Sequence, residues 1–307
     1  MKVSTSYLFD RGTSQMADVQ NRLAKIQTQV AQGKQVIAPS DAPEQAATIQ
    51  RLKAVVAKQD DFLNTMEAAN YRLQAEESAL SAVSDGLLRI RELAIQAAND
   101  TLSPVDRQAL ALEMQGLRDQ MVSLANGTDA DGHYLFAGGR SDQSPYTYDA
   151  QGRVSYVGDQ TRIKVLVGDQ RLLALNRPGS DAFTRVQRTD MQGQAYGVGF
   201  FEVVDDLIAA VKDVNQPLIQ RGADELEGLQ DGISLALAQV GTDMNVVDAQ
   251  RRVAEDTKLR MQTLLSSVED LDYAEAITQM NKEMLALEAA QSSFAKIAQL
   301  NLFNYIN

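Results

Sequence analysis

Both ends of the chain carry apolar side chains at alternating steps of three and four residues, which is the spacing of a coiled-coil seam. A narrow seam buries little apolar surface on an isolated helix, so each terminal helix needs a partner helix. Seams at both ends are typical of a protein that assembles with other subunits, and we expect these two to form the assembly interface. The N-terminal seam consists of Phe9, Met16, Val19, Leu23, Ile26 and Val30, with Gly12 at the one missing place. The C-terminal seam consists of Ile277, Met280, Met284, Leu287, Phe294 and Ala298, with Gln291 between Leu287 and Phe294.

The N-terminal seam lies on a helix predicted over about residues 5–36, with a break near 32–34. A loop at 38–43 follows it, because each of the two prolines in this loop disfavours helix in the residue before it. Either Ser40 or Asp41 can cap the next helix, which has a proline in its first turn.

The second predicted helix keeps its apolar residues in one seven-residue frame as far as about Asn99. It would contain some 50 residues, or about 80 Å at 1.5 Å per residue, which a globular enzyme seldom needs. A third helix begins with Ser103 as the cap and Pro104 at the first helical position, and it ends at residues 126–127.

Helix returns near the C-terminus, over about residues 202–212 and again from about Gly222 to the end of the chain. The pattern predicts a hitch near Gly241 and a break at residues 272–275, after which the C-terminal seam starts afresh. This break divides the C-terminal helices as the proline loop divides the N-terminal ones.

Residues 131–201 differ in character, because they are rich in Gly, Tyr and Asp and read as short strands and turns. Residues 146–148 and 154–157 predict a hairpin with a glycine-containing turn. Residues 161–167 alternate polar and apolar side chains, as a half-buried strand does.

The predicted fold class is therefore mainly α with a small β insertion: a long antiparallel helical rod or coiled coil made from both chain ends, with a β-rich tip domain. We expect three parts. Residues 1–37 with 272–307 form the terminal coiled-coil assembly segments, 44–130 with 202–271 form a long-helix domain, and 131–201 form the insertion. The terminal segments are expected to be disordered in the free monomer and to fold when neighbouring subunits cover their seams.

Charge and composition exclude several classes of function. The net charge of −12 disfavours nucleic acid and anionic membrane as partners. Residues 1–37, with five basic and two acidic side chains, form either a solvated helix face or a surface that meets an acidic neighbour. The absence of cysteine excludes disulfides, and no apolar run approaches the roughly 20 residues of a membrane span. The N-terminus also lacks the apolar run of a cleavable secretory signal.

The sequence offers no catalytic constellation. His133 is the single histidine, and residues 129–132 resemble the start of a calcium loop without its later acidic ligands, so we predict a turn there. Acid pairs such as Glu76–Glu77 and Glu269–Asp270 lie on predicted helices and are expected to be solvated. We therefore predict no enzyme activity, cofactor or metal site.

Four segments in family order resemble the flagellin-like axial proteins of bacterial flagella, and the last three resemble the hook–filament junction family within them. The first is the loop at 38–43 with the helix after it, although Ala38 and Ala42 replace the usual Asn and Asp. The others are residues 132–138, 269–277 and 300–306. The residues that carry the resemblance are Pro39, Ser40, Asp41, Pro43, Gly132, Tyr134, Phe136, Gly138, Asp272, Tyr273, Asn304 and Tyr305.

The resemblance implies a structural protein of the flagellum, exported unfolded through the flagellar type III apparatus to the cell exterior. It would form a short ring-like zone of the axial tube with further copies of itself, and it would join hook-associated protein 1 on one side to flagellin on the other as a mechanical adaptor. An export chaperone is a further implied partner, and no cofactor is implied. Flagellin itself is the nearest alternative, and an enzyme built on a helical rod is a distant third.

Overall fold

The computed structural model describes residues 2–99, 101–189 and 193–303. The chain is mainly helical, with long helices from both ends and small antiparallel sheets between them, which confirms the predicted fold class. Two compact units are present: Met1–Lys58 with Asp256–Asn307, and Gln59–Glu255. The boundaries between these units, at residues 58–59 and 255–256, fall inside two long helices. The domain boundaries expected from the sequence lie at loops instead. Within the described residues, no helix is both long and apolar enough to cross a membrane.

The first unit contains the helices of both termini. Helix α1 (Lys2–Gln32) runs antiparallel to the last helix, α7 (Tyr273–Phe303), since Phe9 meets Phe294 and Arg22 meets Glu283. Helix α1 ends where Gly33 adopts a left-handed conformation with φ +67°, the usual end of a helix at glycine. The unit also includes the start of α2 (Pro43–Ala97) and the end of α6 (Gln216–Glu269).

The second unit packs the rest of α2 and α6 with α3 (Pro104–Ala125) and α5 (Phe200–Lys212). Helix α3 begins as its sequence predicts, because the Ser103 side chain accepts a hydrogen bond from the Asp106 amide and Pro104 stands at the first position. One apolar core runs through the unit; its largest fully buried side chains include Met66, Leu80, Leu87, Ile90, Met114, Met121, Leu207, Ile219 and Leu226.

In its described residues, 131–189 and 193–201, the insertion contains three separate two-stranded antiparallel hairpins and one short helix, α4 (Gly179–Ala182). The predicted hairpin is present, with Tyr146 opposite Tyr156. The strand expected over 161–167 is shorter, and three strands were not predicted. The hairpins are β1 (Tyr146–Tyr148) with β2 (Val154–Tyr156), β3 (Lys164–Leu166) with β4 (Leu172–Ala174), and β5 (Val186–Thr189) with β6 (Ala195–Val198).

Aromatic rings hold the insertion on α5. Phe183 lies at the centre, 5.3 Å from Phe136, 5.4 Å from Tyr146 and 5.1 Å from Phe200 between ring centroids. Phe201 completes the cluster against Tyr146 at 5.2 Å. These edge-to-face contacts stabilise the cluster beyond the burial of its apolar area.

A buried chain of charges also ties the insertion to the helices. Arg72 pairs with Asp129, and Arg177 donates to Asp243 at 3.1 Å. Glu76 lies between these arginines and is 1% exposed. Its Oε1 lies 3.7 Å from Nε of Arg72, and its Oε2 lies 3.7 Å from Nε of Arg177. Oε1 accepts no hydrogen bond. The expectation that Glu76 is solvated is therefore wrong, because the insertion covers this face of α2.

The C-terminal helices differ from the prediction in two places. Helix α6 starts at Gln216 and passes Gly241 without a break, so the predicted start at Gly222 and the hitch at Gly241 are wrong. A single glycine does not interrupt a helix that packs along its length. Helix α6 ends at Glu269 and helix α7 begins at Tyr273, so the break lies at residues 270–272, slightly before the predicted 272–275.

Candidate functional site: the paired terminal helices

The N-terminal seam follows one half-buried stripe of α1. All six seam residues are half-buried, and the other described positions between residues 7 and 30 are exposed, apart from Gly12 and Gln29. The ring of Phe294 meets Phe9 edge to face at 4.7 Å and also lies over Gly12, where a Cβ would come within 3.3 Å of it. Gly12 therefore leaves the space that an aromatic residue of α7 fills.

The C-terminal seam is divided between two faces of α7. Met280, Leu287 and Phe294 are half-buried on the side of α1, whereas Ile277 and Met284 are exposed by 43% and 46%. The buried stripe is completed by residues that apolarity alone did not select, since two are small and one is charged: Ala276, Glu283 and Ala290. Ala298 lies on α7 beyond the residues whose side chains are described.

Acids of the same chain neutralise the basic N-terminal segment. Arg22 donates two hydrogen bonds to Glu283 of α7 at 3.2 and 3.3 Å. Lys25 binds Asp41 at 2.8 Å, and Lys34 binds Glu269 at 2.7 Å. The sequence is compatible with either a solvated face or an acidic neighbour, and for these three side chains the structure supplies partners within the chain.

The proline loop before α2 is organised by Asp41. Its carboxylate accepts hydrogen bonds from Lys25 and from the amide of Ala38 at 3.2 Å, and its own amide donates to the carbonyl of Ala38. The hydrogen bond from Lys25 is the main reason that the pKa of Asp41 is lowered. Pro43 is the first residue of α2, and Pro39 and Ser40 lie in the turn before it.

Residues 132–138 form a loop of the second unit in which residues 135–138 are buried. The Tyr134 amide donates to the carbonyl of Ser141 at 2.8 Å, and Phe136 is fully buried, with its carbonyl accepting from the Gly179 amide at 2.8 Å. Gly132 and Gly138 both have positive φ. This segment therefore positions the insertion, and it lies in the other compact unit from the terminal helices.

Asp272 caps α7, because its carboxylate accepts hydrogen bonds from the amides of Ala274 and Glu275 at 2.9 and 3.1 Å. The neighbouring Tyr273 is half exposed. Asn304 and Tyr305, the other two residues of the family-like C-terminus, lie outside the described residues.

One group of side chains has metal-ligand character in the described part of the chain. The ligand atoms of Asp129, Asp131 and His133 lie within 4.8 Å of one another. The Asp129 carboxylate already accepts from the amides of Asp131 and His133 at 3.0 and 2.9 Å and from Arg72. The arrangement is a turn held by Asp129 beside a buried cation, and it does not indicate a metal site.

Comparison with known proteins agrees with this architecture. The profile described as the bacterial flagellin N-terminal helical region matches residues 3–141. Flagellar hook-associated protein 3 of Escherichia coli is 29% identical, and that of Salmonella typhimurium is 27% identical, each over 99% of both chains. The solved structure of hook-associated protein 3 from Legionella pneumophila superposes with a TM-score of 0.64 at 20% identity, over 72% of this chain and 98% of that one.

The chain is therefore similar to the flagellin-like helical proteins of the bacterial flagellum. Within that class it is a full-length relative of flagellar hook-associated protein 3, and flagellins are more distant matches. This kinship confirms the predicted structural role and the prediction that the chain is not an enzyme.

Proposed function

We propose that the chain is a structural axial protein that joins the flagellar hook to the flagellin filament as a mechanical adaptor. The full-length similarity to two proteins named flagellar hook-associated protein 3 carries this proposal. The proposed role is structural and involves no chemical reaction, because the chain only connects one helical assembly to the next.

The proposed partners follow from that position in the tube. One face meets hook-associated protein 1, the other meets the first flagellin subunits, and further copies of this chain complete a ring-like zone. The protein leaves the cell unfolded through the flagellar type III apparatus, accompanied by an export chaperone, and functions outside the cell.

We assign the assembly interface to the terminal helices. The α1–α7 pair covers only part of its apolar surface, because Ile277, Met284 and Leu285 of α7 remain 43%, 46% and 69% exposed. Apolar side chains left exposed on a helix pair mark a surface for a further protein. In the tube, neighbouring copies would cover this stripe, so the C-terminal seam would serve both the pair and its neighbours.

The proposed division into terminal segments (1–37 with 272–307), long-helix domain (44–130 with 202–271) and insertion (131–201) remains part of this picture. The terminal segments would order only on assembly, which keeps the exported monomer from polymerising early. Hydrogen exchange on the monomer tests this point: slow exchange over residues 9–30 would contradict it.

Deleting residues 1–37 or 272–307 should abolish filament attachment and motility while the second compact unit stays folded. The reason is that the second unit has its own core, whereas the interface is lost. Swarming motility and secretion of unpolymerised flagellin are the readouts, with circular dichroism as the control for folding. Full motility of either truncated protein would overturn the proposal.

Met284→Asp should also prevent assembly, because it places a charge in the exposed apolar stripe without disturbing the core of the α1–α7 pair. Ala286→Asp is the matched control, at an exposed α7 position about 160° around the helix from Met284. We expect a loss of motility for the first variant and near-normal motility for the second. Normal motility of Met284→Asp, or equal loss in both variants, would contradict the assignment of the stripe.

Copy number distinguishes the proposed junction role from the flagellin alternative. Quantitative immunoblotting of sheared flagella should find a small fixed number of chains for each filament. Thousands of copies would identify a filament subunit.

A further inference from the structure

The two helix breaks of the first unit are bonded directly to each other. The Gln35 amide, after α1, donates to the carbonyl of Glu269 at 2.8 Å, and the Leu271 amide, before α7, donates to the carbonyl of Gly33 at 3.0 Å. These two hydrogen bonds enclose an antiparallel bridge between Lys34 and Asp270. We name residues 33–35 and 269–271 together the joint.

A buried carboxylate reinforces the joint. Glu269 is 7% exposed and receives Lys34 at 2.7 Å and Lys53 at 2.8 Å on the same oxygen. Lys34 belongs to the link after α1, Lys53 to α2 and Glu269 to the end of α6, so one side chain connects three segments. A carboxylate with so little solvent contact depends on these partners, because a buried charge without a partner is strongly destabilising.

The geometry at Gly33 ties the same link to α7. Its φ of +67° favours glycine, and a Cβ there would lie 2.8 Å from the hydroxyl of Tyr273, the first residue of α7. A side chain at residue 33 would therefore be strained and would displace the Tyr273 hydroxyl, at the start of the other terminal helix.

We propose that the two breaks act as one joint, so that α1 and α7 become ordered and move together. Each link satisfies backbone groups of the other, so opening the contact breaks hydrogen bonds of both links at once. Two independent hinges would instead let either terminal helix detach alone. The inference concerns coupling within the first unit and does not depend on the junction role.

Disulfide trapping tests the joint in the full-length chain, which has no cysteine of its own. Lys34→Cys with Asp270→Cys places two thiols at a bridge of the kind where Cα atoms lie about 4.5 Å apart, which a disulfide can span. The control is Lys34→Cys with Asp256→Cys, whose second thiol lies 14 residues, or about 21 Å, further back along α6. In a glutathione redox buffer we expect the bridge pair to close at least about tenfold faster. Equal rates would overturn the proposal.

Hydrogen exchange on the oxidised and reduced bridge pair then measures the coupling. Both terminal helices are expected to exchange fast in the reduced monomer, and closing the disulfide should slow exchange in α1 and α7 together. A response confined to one helix would refute the single joint. Glu269→Gln in the bridge pair should slow disulfide closure several-fold. Glu255→Gln, which alters an exposed α6 pair with Arg251, should leave the rate unchanged. Equal effects of the two substitutions would remove Glu269 from the joint.

Discussion

Gly138→Ala should lower the free energy of unfolding of the second unit by about 2 to 5 kcal/mol. Two causes add. Gly138 has φ +71°, where a side chain costs about 1–2 kcal/mol, and its Cβ would lie less than 3.0 Å from both the carbonyl oxygen and the carboxylate of Asp159. Asp159 cannot easily move, because its carboxylate accepts from the amides of Gly139 and Thr161 and its carbonyl accepts from the Tyr156 hydroxyl.

Urea denaturation monitored by circular dichroism measures this loss, and two glycines provide controls. Gly132→Ala shares the positive φ, at +83°, but has nothing within 4 Å, so it should cost only the conformational part. Gly116→Ala lies in the middle of α3 with open space around it and should stabilise by about 0.5–1 kcal/mol. If Gly138→Ala and Gly132→Ala lower the free energy of unfolding by the same amount, the close approach of Asp159 does not contribute to the loss.

Glu76→Gln should remove a pH dependence of stability near neutrality. Burial is the main cause that raises the pKa of Glu76 from 4.5 to about 7, against the opposing charges of Arg177 and Arg72, while Asp243 adds to the increase. Because the folded-state pKa is the higher one, the contribution to stability is complete below about pH 4.5 and is lost as pH rises through about 7. Between pH 5.5 and 8 the wild-type protein should lose about 2 kcal/mol through this group.

Chemical denaturation at half-unit pH steps, compared between wild type and Glu76→Gln, isolates this contribution. Asp205 also has a pKa raised by burial, so it contributes to the pH dependence of the free energy of unfolding in both proteins. The difference between the two curves therefore reports on Glu76. Glu77→Gln, one residue along on the exposed side of α2, should retain the wild-type slope. Parallel curves for wild type and Glu76→Gln would show that Glu76 stays ionised throughout.

The long helices could be predicted because local signals define them. Ser103 and Pro104 mark the start of α3, and the proline at residue 43 marks the start of α2. The start of α6 was missed by six residues, since Asn215 caps it and the preceding Val214 adopts a positive φ that no sequence pattern announces. Strands β4 and β6 were missed because Leu172–Ala174 and Ala195–Val198 do not alternate polar and apolar side chains, and the four residues of β5 were not recognised.

The candidate site shows the same division between local and distant causes. The spacing of the N-terminal seam was sufficient to identify a half-buried stripe on α1. On α7 the apolar residues cover more than one face, and the buried side is the one that meets α1, where Arg22 reaches Glu283 from 261 residues away. Glu269 was expected to be solvated and is buried, because Lys53 and the link after α1 cover it; such partners are set by the fold.

The aromatic cluster of the insertion also makes this protein a convenient optical system. The chain contains no tryptophan, and Tyr146 is buried against Phe183 and Phe201 while the terminal helices α1 and α7 contribute few rings. Near-ultraviolet circular dichroism should therefore report on the insertion, whereas far-ultraviolet ellipticity should follow the long helices. One tryptophan introduced beside Met284 would then give a third signal for the terminal pair without spectral overlap from the rest of the chain.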